Sequence, residues 1–168
     1  MNESYAEASV KKLPTAKDGL IKGGLIALII FVLVFLTPKI GFFSITIALL
    51  IGLVCFFIFP NLSIEYEYIF CDGQIDFDKI PKNGKRKTLL RIDFEKIEVV
   101  APVGSHELDS YNRNESIKVK DFSSLNPEAR VYAAIVREDA NVSKVLFEPS
   151  DKMINCMKQK APRKVFEY

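Results

Sequence analysis

The sequence predicts a two-helix membrane hairpin followed by a soluble α+β domain that is mainly antiparallel β. Three observations carry this. Ile40–Phe59 is a run of twenty residues without a charged side chain. At a helical rise of about 1.5 Å per residue it reaches roughly 30 Å, the hydrocarbon thickness of a bilayer. A second apolar run, Leu20–Thr37, lies directly upstream, with only Pro38-Lys39 between the two as a breaker. Beyond Pro60 the pattern changes from continuously apolar to alternating, which marks the passage from membrane to a half-buried sheet.

Residues 1–19 read as a cytoplasmic N-terminal segment, residues 20–59 as the transmembrane hairpin (20–37 and 40–59), and residues 62–168 as the soluble domain. Lys22 stands about one turn into the first run, and its long stem returns the ammonium to the headgroup layer. Basic residues before an apolar run also suit a cleaved signal peptide. After Leu36, however, no small-x-small cleavage pattern follows, and the next apolar run begins at once.

Lys11, Lys12, Lys17 and Lys22 flank the first span, and Lys79, Lys82, Lys85, Arg86 and Lys87 follow the second, whereas the turn between them holds only Lys39. The positive-inside rule then places both termini in the cytoplasm of a two-span plasma-membrane protein. In that compartment the sequons at Asn2, Asn61, Asn114 and Asn141 carry no glycan.

In the soluble part, Ser63–Cys71 alternates Ile64, Tyr66, Tyr68 and Phe70 with Glu65, Glu67 and Ile69, and Asp72-Gly73 is a strong hairpin signal. Gln74–Ile80 returns as a second strand, Pro81-Lys82-Asn83-Gly84 turns again, and Lys85–Ile92 is a third strand. Asp93–Lys96 reads as a single helical turn before a fourth strand at Ile97–Val100. Ala101–Glu115 is a loop with a helical turn around Glu107–Tyr111. Ile117–Phe122 alternates, and Arg130–Arg137 pairs with Lys144–Glu148 across Asp139-Ala140-Asn141. Ser150 is a good N-cap for a closing helix that carries Met153, Ile154 and Met157 on one face and stops at Ala161-Pro162. About seven short strands and one C-terminal helix suggest a small antiparallel roll or barrel closed at one end.

Several stretches resemble a family of small two-helix membrane proteins from Gram-positive bacteria, known as a domain of unknown function. They are Leu62–Gly73 (LSIEYEYIFCDG), Ile97–Tyr111 (IEVVAPVGSHELDSY), Val119–Ser123 (VKDFS) and Phe147–Phe166 (FEPSDKMINCMKQKAPRKVF). The resemblance runs over nearly the whole chain. The strand order with its closing helix is also similar to the pleckstrin-homology-like (PH-like) domains that bacteria attach to pairs of membrane helices. Both likenesses imply a topology, and neither implies an activity or a cofactor.

Charge excludes one function class. The chain of 168 residues holds 23 Lys+Arg and 21 Asp+Glu, and from Leu62 onward the two signs balance at 18 each. A neutral domain has no electrostatic footprint for nucleic acid. The aromatics Tyr66, Tyr68, Phe70, Phe77, Phe94, Phe122 and Phe147 are accordingly read as core and interfacial anchors, not as a base-stacking platform. Cys55, Cys71 and Cys156 have no CxxC spacing and read as buried, reduced thiols.

Two candidate surfaces remain. Lys79, Lys82, Lys85, Arg86 and Lys87 form a basic hairpin suited to anionic lipid, although Asp76, Asp78 and Asp93 lie close enough in sequence to offset it. The loop bearing His106, Asp109 and Tyr111 is the candidate partner surface, because loops carry binding more often than scaffold strands. Gly84-Lys85-Arg86-Lys87-Thr88 is no phosphate loop, since Lys79 stands where the first glycine belongs and Arg86 where Ser or Thr must follow the lysine. Ser105, His106 and Asp109 are neighbours in one loop, whereas working triads assemble from distant segments. His106 also lacks the further ligands of a metal site.

The expected function is a membrane-anchored, non-catalytic interaction module at the inner leaflet, without cofactor, binding a protein partner, itself or anionic lipid. The first alternative is an accessory subunit of a larger membrane complex; Gly23, Gly24, Gly41 and Gly52 permit close helix approach. The second is an enzyme of unrecognised type, which requires a pocket with convergent polar groups.

Overall fold

A computed structural model describes residues 5–82, 84–114, 116–139 and 141–167. Asn2 of the first sequon, Asn83 and Ala140 of two expected turns, and Glu115 at the end of the expected loop lie outside them. The chain divides into two units. One is helical and comprises residues 13–64 with 81–85; the other is β-rich and comprises residues 1–12, 65–80 and 86–168.

In the helical unit, α1 spans Ala16–Phe31, a π-helical turn spans Val32–Leu36, α2 spans Thr37–Ile40 and α3 spans Phe43–Asn61. The first helix begins four residues before the apolar run, because Thr15 and Asp18 form a capping box. The Thr15 amide donates to Asp18 Oδ2 at 2.8 Å, and the Asp18 amide returns a bond to Thr15 Oγ1 at 3.3 Å. Helix therefore reaches back into the segment expected to be a tail.

Pro38-Lys39 is not the breaker between the two helices, since helix continues through it to Ile40. A proline inside a helix removes one N–H and crowds the carbonyl four residues earlier, and the π-helical turn directly ahead of α2 accommodates it. Thr37 Oγ1 donates to the Leu33 carbonyl at 2.5 Å, which satisfies a backbone acceptor near the proline. Reversal comes later, at Gly41-Phe42, where Gly41 has φ +58°, a region that favours glycine. Ser44, fully buried, donates to the Gly41 carbonyl at 2.7 Å and shares a 2.8 Å hydroxyl contact with Thr37. The Thr37 and Ser44 hydroxyls thus both have partners at the turn.

Ala16–Ile40 and Phe43–Asn61 are long and apolar enough to cross a membrane, with mean hydropathies of 2.6 and 2.5. Only 6% and 17% of their most apolar windows are buried within the protein, which is not the burial of a soluble protein's core helix.

The β unit holds eight named strands among the described residues, one more than expected. A sheet ordered β1-β2-β3-β4 contains β1 (Tyr5–Lys11), β2 (Ile64–Cys71), β3 (Gln74–Pro81) and β4 (Lys87–Asp93). A second, ordered β5-β7-β8-β6, contains β5 (Ile97–Pro102), β6 (Lys118–Asp121), β7 (Tyr132–Glu138) and β8 (Asn141–Phe147). The unexpected strand is β1, which pairs antiparallel with β2 from Tyr5 opposite Cys71 to Lys11 opposite Glu65. The β2–β3 turn has Asp72 at φ 51° and Gly73 at φ 92°, the left-handed pair that a tight hairpin requires. A second departure is β6, which runs parallel to β8, so the second sheet is mixed.

The core of this unit is aromatic. Tyr68, Phe70, Phe77 and Phe147 are at most 1% exposed. Tyr68 and Phe77 of the first sheet meet Phe147 of the second edge-on, with ring centroids 5.7 and 5.6 Å apart, and Phe77 stacks on Phe122 at 5.0 Å. Rings from facing sheets meet in the offset and T-shaped geometries that their quadrupoles favour. Helix α5 (Asp151–Lys160) packs against β1 and buries Met153, Ile154 and Met157. Its cap is Ser150, whose hydroxyl accepts from the Met153 amide at 3.3 Å. The three thiols are free but not uniformly buried, since Cys71 is exposed and Cys156 half-buried, leaving Cys55 as the buried one.

Candidate functional site

The loop that bears His106, Asp109 and Tyr111 is a short, braced structure. After β5, a 3-10 turn at His106–Leu108 runs into α4 (Asp109–Asn112). Leu108 is fully buried in a cluster with Val99, Ala101, Ala133 and Ile135, which anchors the loop on the second sheet. Glu98 of β5 is the second anchor. Arg137 of β7 grips both of its carboxylate oxygens, and Tyr111 Oη donates to Oε2 at 3.0 Å. Lys144 Nζ donates to Asn112 Oδ1 at 2.7 Å and ties the far end to β8.

Of the three loop residues that the sequence singles out, the structure brings two side chains together. His106 Nδ1 lies 3.4 Å from Asp109 Oδ2, and the His106 side chain is fully exposed. Tyr111 instead turns to Glu98 and is half-buried. Sequence reasoning did not reach Glu98 and Arg137, because each stands in a strand as an ordinary outward charge. Their pairing depends on β5 lying beside β7, with Ile97 opposite Val136.

The electrostatics follow from this geometry. The Arg137 guanidinium, helped by the Tyr111 hydroxyl, holds the Glu98 carboxyl below its ordinary range, while burial and then Glu98 itself push the Tyr111 phenol up. A carboxylate with a depressed pKa stabilises the fold above its unfolded pKa and loses that contribution as pH falls through the folded one. Loop bracing should therefore weaken under acid. Glu98→Gln is expected to speed amide exchange over residues 106–112 about fivefold at neutral pH, with little change at strongly acidic pH. Equal rates in the two proteins at neutral pH would show that the pair braces nothing.

The basic connection is less uniform than its sequence suggests. Within the β unit, Arg86 makes an ion pair with Glu67 and stands 3.6 Å from Asp78 Oδ2. Asp78 is 3% exposed, so this guanidinium is committed to the sheet and is not a free cation. Lys87 is exposed, and Lys79 is half-buried on β3. Lys82 and Lys85 belong to the helical unit, where both are exposed. No group of three or more His, Cys, Asp or Glu side chains placed to hold a metal ion occurs among the described residues.

A family profile described as a bacterial PH-like domain, DUF6106, matches residues 2–167. The chain belongs to this family. No curated protein and no solved structure matches it. Membership fits the facing sheets with their closing helix, and the two apolar helices fit a small membrane protein. The match also takes in residues 5–11, so β1 lies inside the PH-like family region along with the later strands. A PH-like domain of unknown function fits a non-catalytic interaction module.

Proposed function

We propose that this chain is a membrane-anchored, non-catalytic interaction module. Its β unit faces the cytoplasm and binds a protein partner or a second copy of the chain through the 103–113 loop, while exposed lysines meet anionic lipid. The observation that carries this reading is the pairing of Lys11 with Glu65. A chain that leaves the sheet after β1 and rejoins the adjacent strand must cross a bilayer an even number of times, and two apolar helices satisfy that. The lysines flanking this pair of helices favour the cytoplasmic side.

Cys71 provides the test, being the exposed thiol. With Cys55 and Cys156 replaced by Ala, a membrane-impermeant maleimide should leave Cys71 unlabelled in intact cells and label it fully after permeabilisation. Full labelling of intact cells places the β unit outside and defeats the proposal. Extraction in mild detergent followed by mass analysis decides the mode of action. A monomer or homo-oligomer favours a self-standing module, and a fixed stoichiometry with another membrane protein favours an accessory subunit.

A further inference from the structure

The helical unit contains a cleft of about 360 Å³ lined by Lys22 of α1, by Cys55, Phe56, Phe59 and Pro60 of α3, and by Lys82. Both charged residues in its wall are lysines. Neither ammonium has an ion-pair partner among the described residues. Asp18, one turn before Lys22, accepts from the Thr15 amide and hydroxyl, each at 2.8 Å, and so serves the helix cap. Lys82 is held in place, because its amide donates to the Ser63 carbonyl at 3.0 Å. The turn that carries it is compact. The Gly84 amide donates to the Pro81 carbonyl, and a Cβ at Gly84 would come within 2.7 Å of the Pro81 ring.

Lys22 is half-buried and stands where α1 passes from its charged first turn, with Lys17 and Asp18, into its continuous apolar run. A cation in that setting needs either an anionic partner or the headgroup layer. Phe56 is exposed beside it and presents an apolar floor. A small soluble anion uses the charge and leaves the aromatic floor unused, whereas a zwitterionic lipid uses the floor and offers a phosphate but also brings a cation that the two lysines repel.

We infer that this cleft binds one anionic phospholipid, with the phosphate taken by the Lys22 and Lys82 ammonium groups and the start of an acyl chain lying along Phe56 and Phe59. The inference rests on the membrane-inserted reading above and adds a defined lipid site on the helical hairpin, separate from the loop.

The test uses the full-length protein in nanodiscs of mixed phosphatidylglycerol and phosphatidylcholine, released for native mass spectrometry. The wild type should retain phosphatidylglycerol in preference to phosphatidylcholine. Lys22→Gln with Lys82→Gln should weaken that retention about thirtyfold. Lys39→Gln, a charge loss near the opposite end of the hairpin, should leave it unchanged, and Lys22→Arg with Lys82→Arg should preserve it even if the Gln pair misfolds. Equal retention of both lipids, an equal loss with Lys39→Gln, loss of retention with the Arg pair, or displacement by inorganic phosphate overturns the site. Failure of the protein to enter the nanodisc at all sinks the membrane reading instead, so the two failures are distinguishable.

Discussion

Replacing residues 12–64 by Asn-Gly should convert this protein into a soluble, monomeric, cooperatively folding β domain, whereas the fragment 62–168 should aggregate or remain unfolded. The reason is the position of β1. Lys11 and Glu65 are register partners at the end of an antiparallel pair, so a two-residue type I′ turn spans the gap that the helical hairpin now fills. Removing β1 leaves the ladder edge of β2 unpaired along all seven positions and uncovers the surface on which α5 packs. Ala6, fully buried, goes with it. At about 0.5–1.5 kcal/mol net per hydrogen bond, the lost ladder alone amounts to several kcal/mol, a large share of the roughly 5–15 kcal/mol that holds a typical domain together. The bare β2 edge is also a template for intermolecular pairing. Light scattering after size exclusion and a thermal melt followed by circular dichroism measure both effects. If the fragment 62–168 melts at the same temperature as the joined protein and stays monomeric, β1 is dispensable and the topological case for an even number of crossings loses its weight.

How far the fold could be read in advance depended on the range of the deciding interactions. Asp72-Gly73 was legible because a tight hairpin needs left-handed backbone at two adjacent residues, and Ser150 was legible because an N-cap acts over three residues. The strand β1 does alternate, with Ala6, Ala8 and Val10 inward and Glu7, Ser9 and Lys11 outward. Alanine is a weak strand former, however, and the lysines that follow look like a juxtamembrane flank. Its partner lies more than fifty residues away across the hairpin. Pro38 misled in the opposite direction, since a local rule for helix breaking was overridden by a π-helical turn and the Thr37 hydroxyl. In the loop, the contact between His106 and Asp109 follows from their spacing of three on a helical turn. The inward turn of Tyr111 does not, because Glu98 and Arg137 reach it only through the sheet. For Arg86, the offset by Asp78 follows from closeness in sequence, whereas the ion pair with Glu67 depends on the neighbouring strand.

The core tyrosine gives the second large expected effect. Tyr68 is fully buried, its ring meets Phe77 and Phe147, and its hydroxyl donates to the Phe122 carbonyl at 2.5 Å. In the joined β domain, Tyr68→Ala should cost about 3–5 kcal/mol by opening a cavity between the sheets. Tyr68→Phe keeps the ring and leaves the Phe122 acceptor without its donor, at a cost of about 1–3 kcal/mol. Burial, reinforced by the charge of Glu148, raises the Tyr68 phenol well above its ordinary pKa. Above about pH 10 the unfolded chain therefore releases this proton while the folded chain keeps it, and stability falls with pH by about 1.4 kcal/mol per unit. Below that pH the group contributes no slope. Tyr66 and Tyr111 are shifted in the same direction and add to the raw profile, so the informative quantity is the difference between wild type and Tyr68→Phe. That difference should be constant from neutral pH to about pH 10 and shrink above it. A difference that stays constant into strong alkali means that Tyr68 ionises as readily folded as unfolded, and the sheets are then not closed over it.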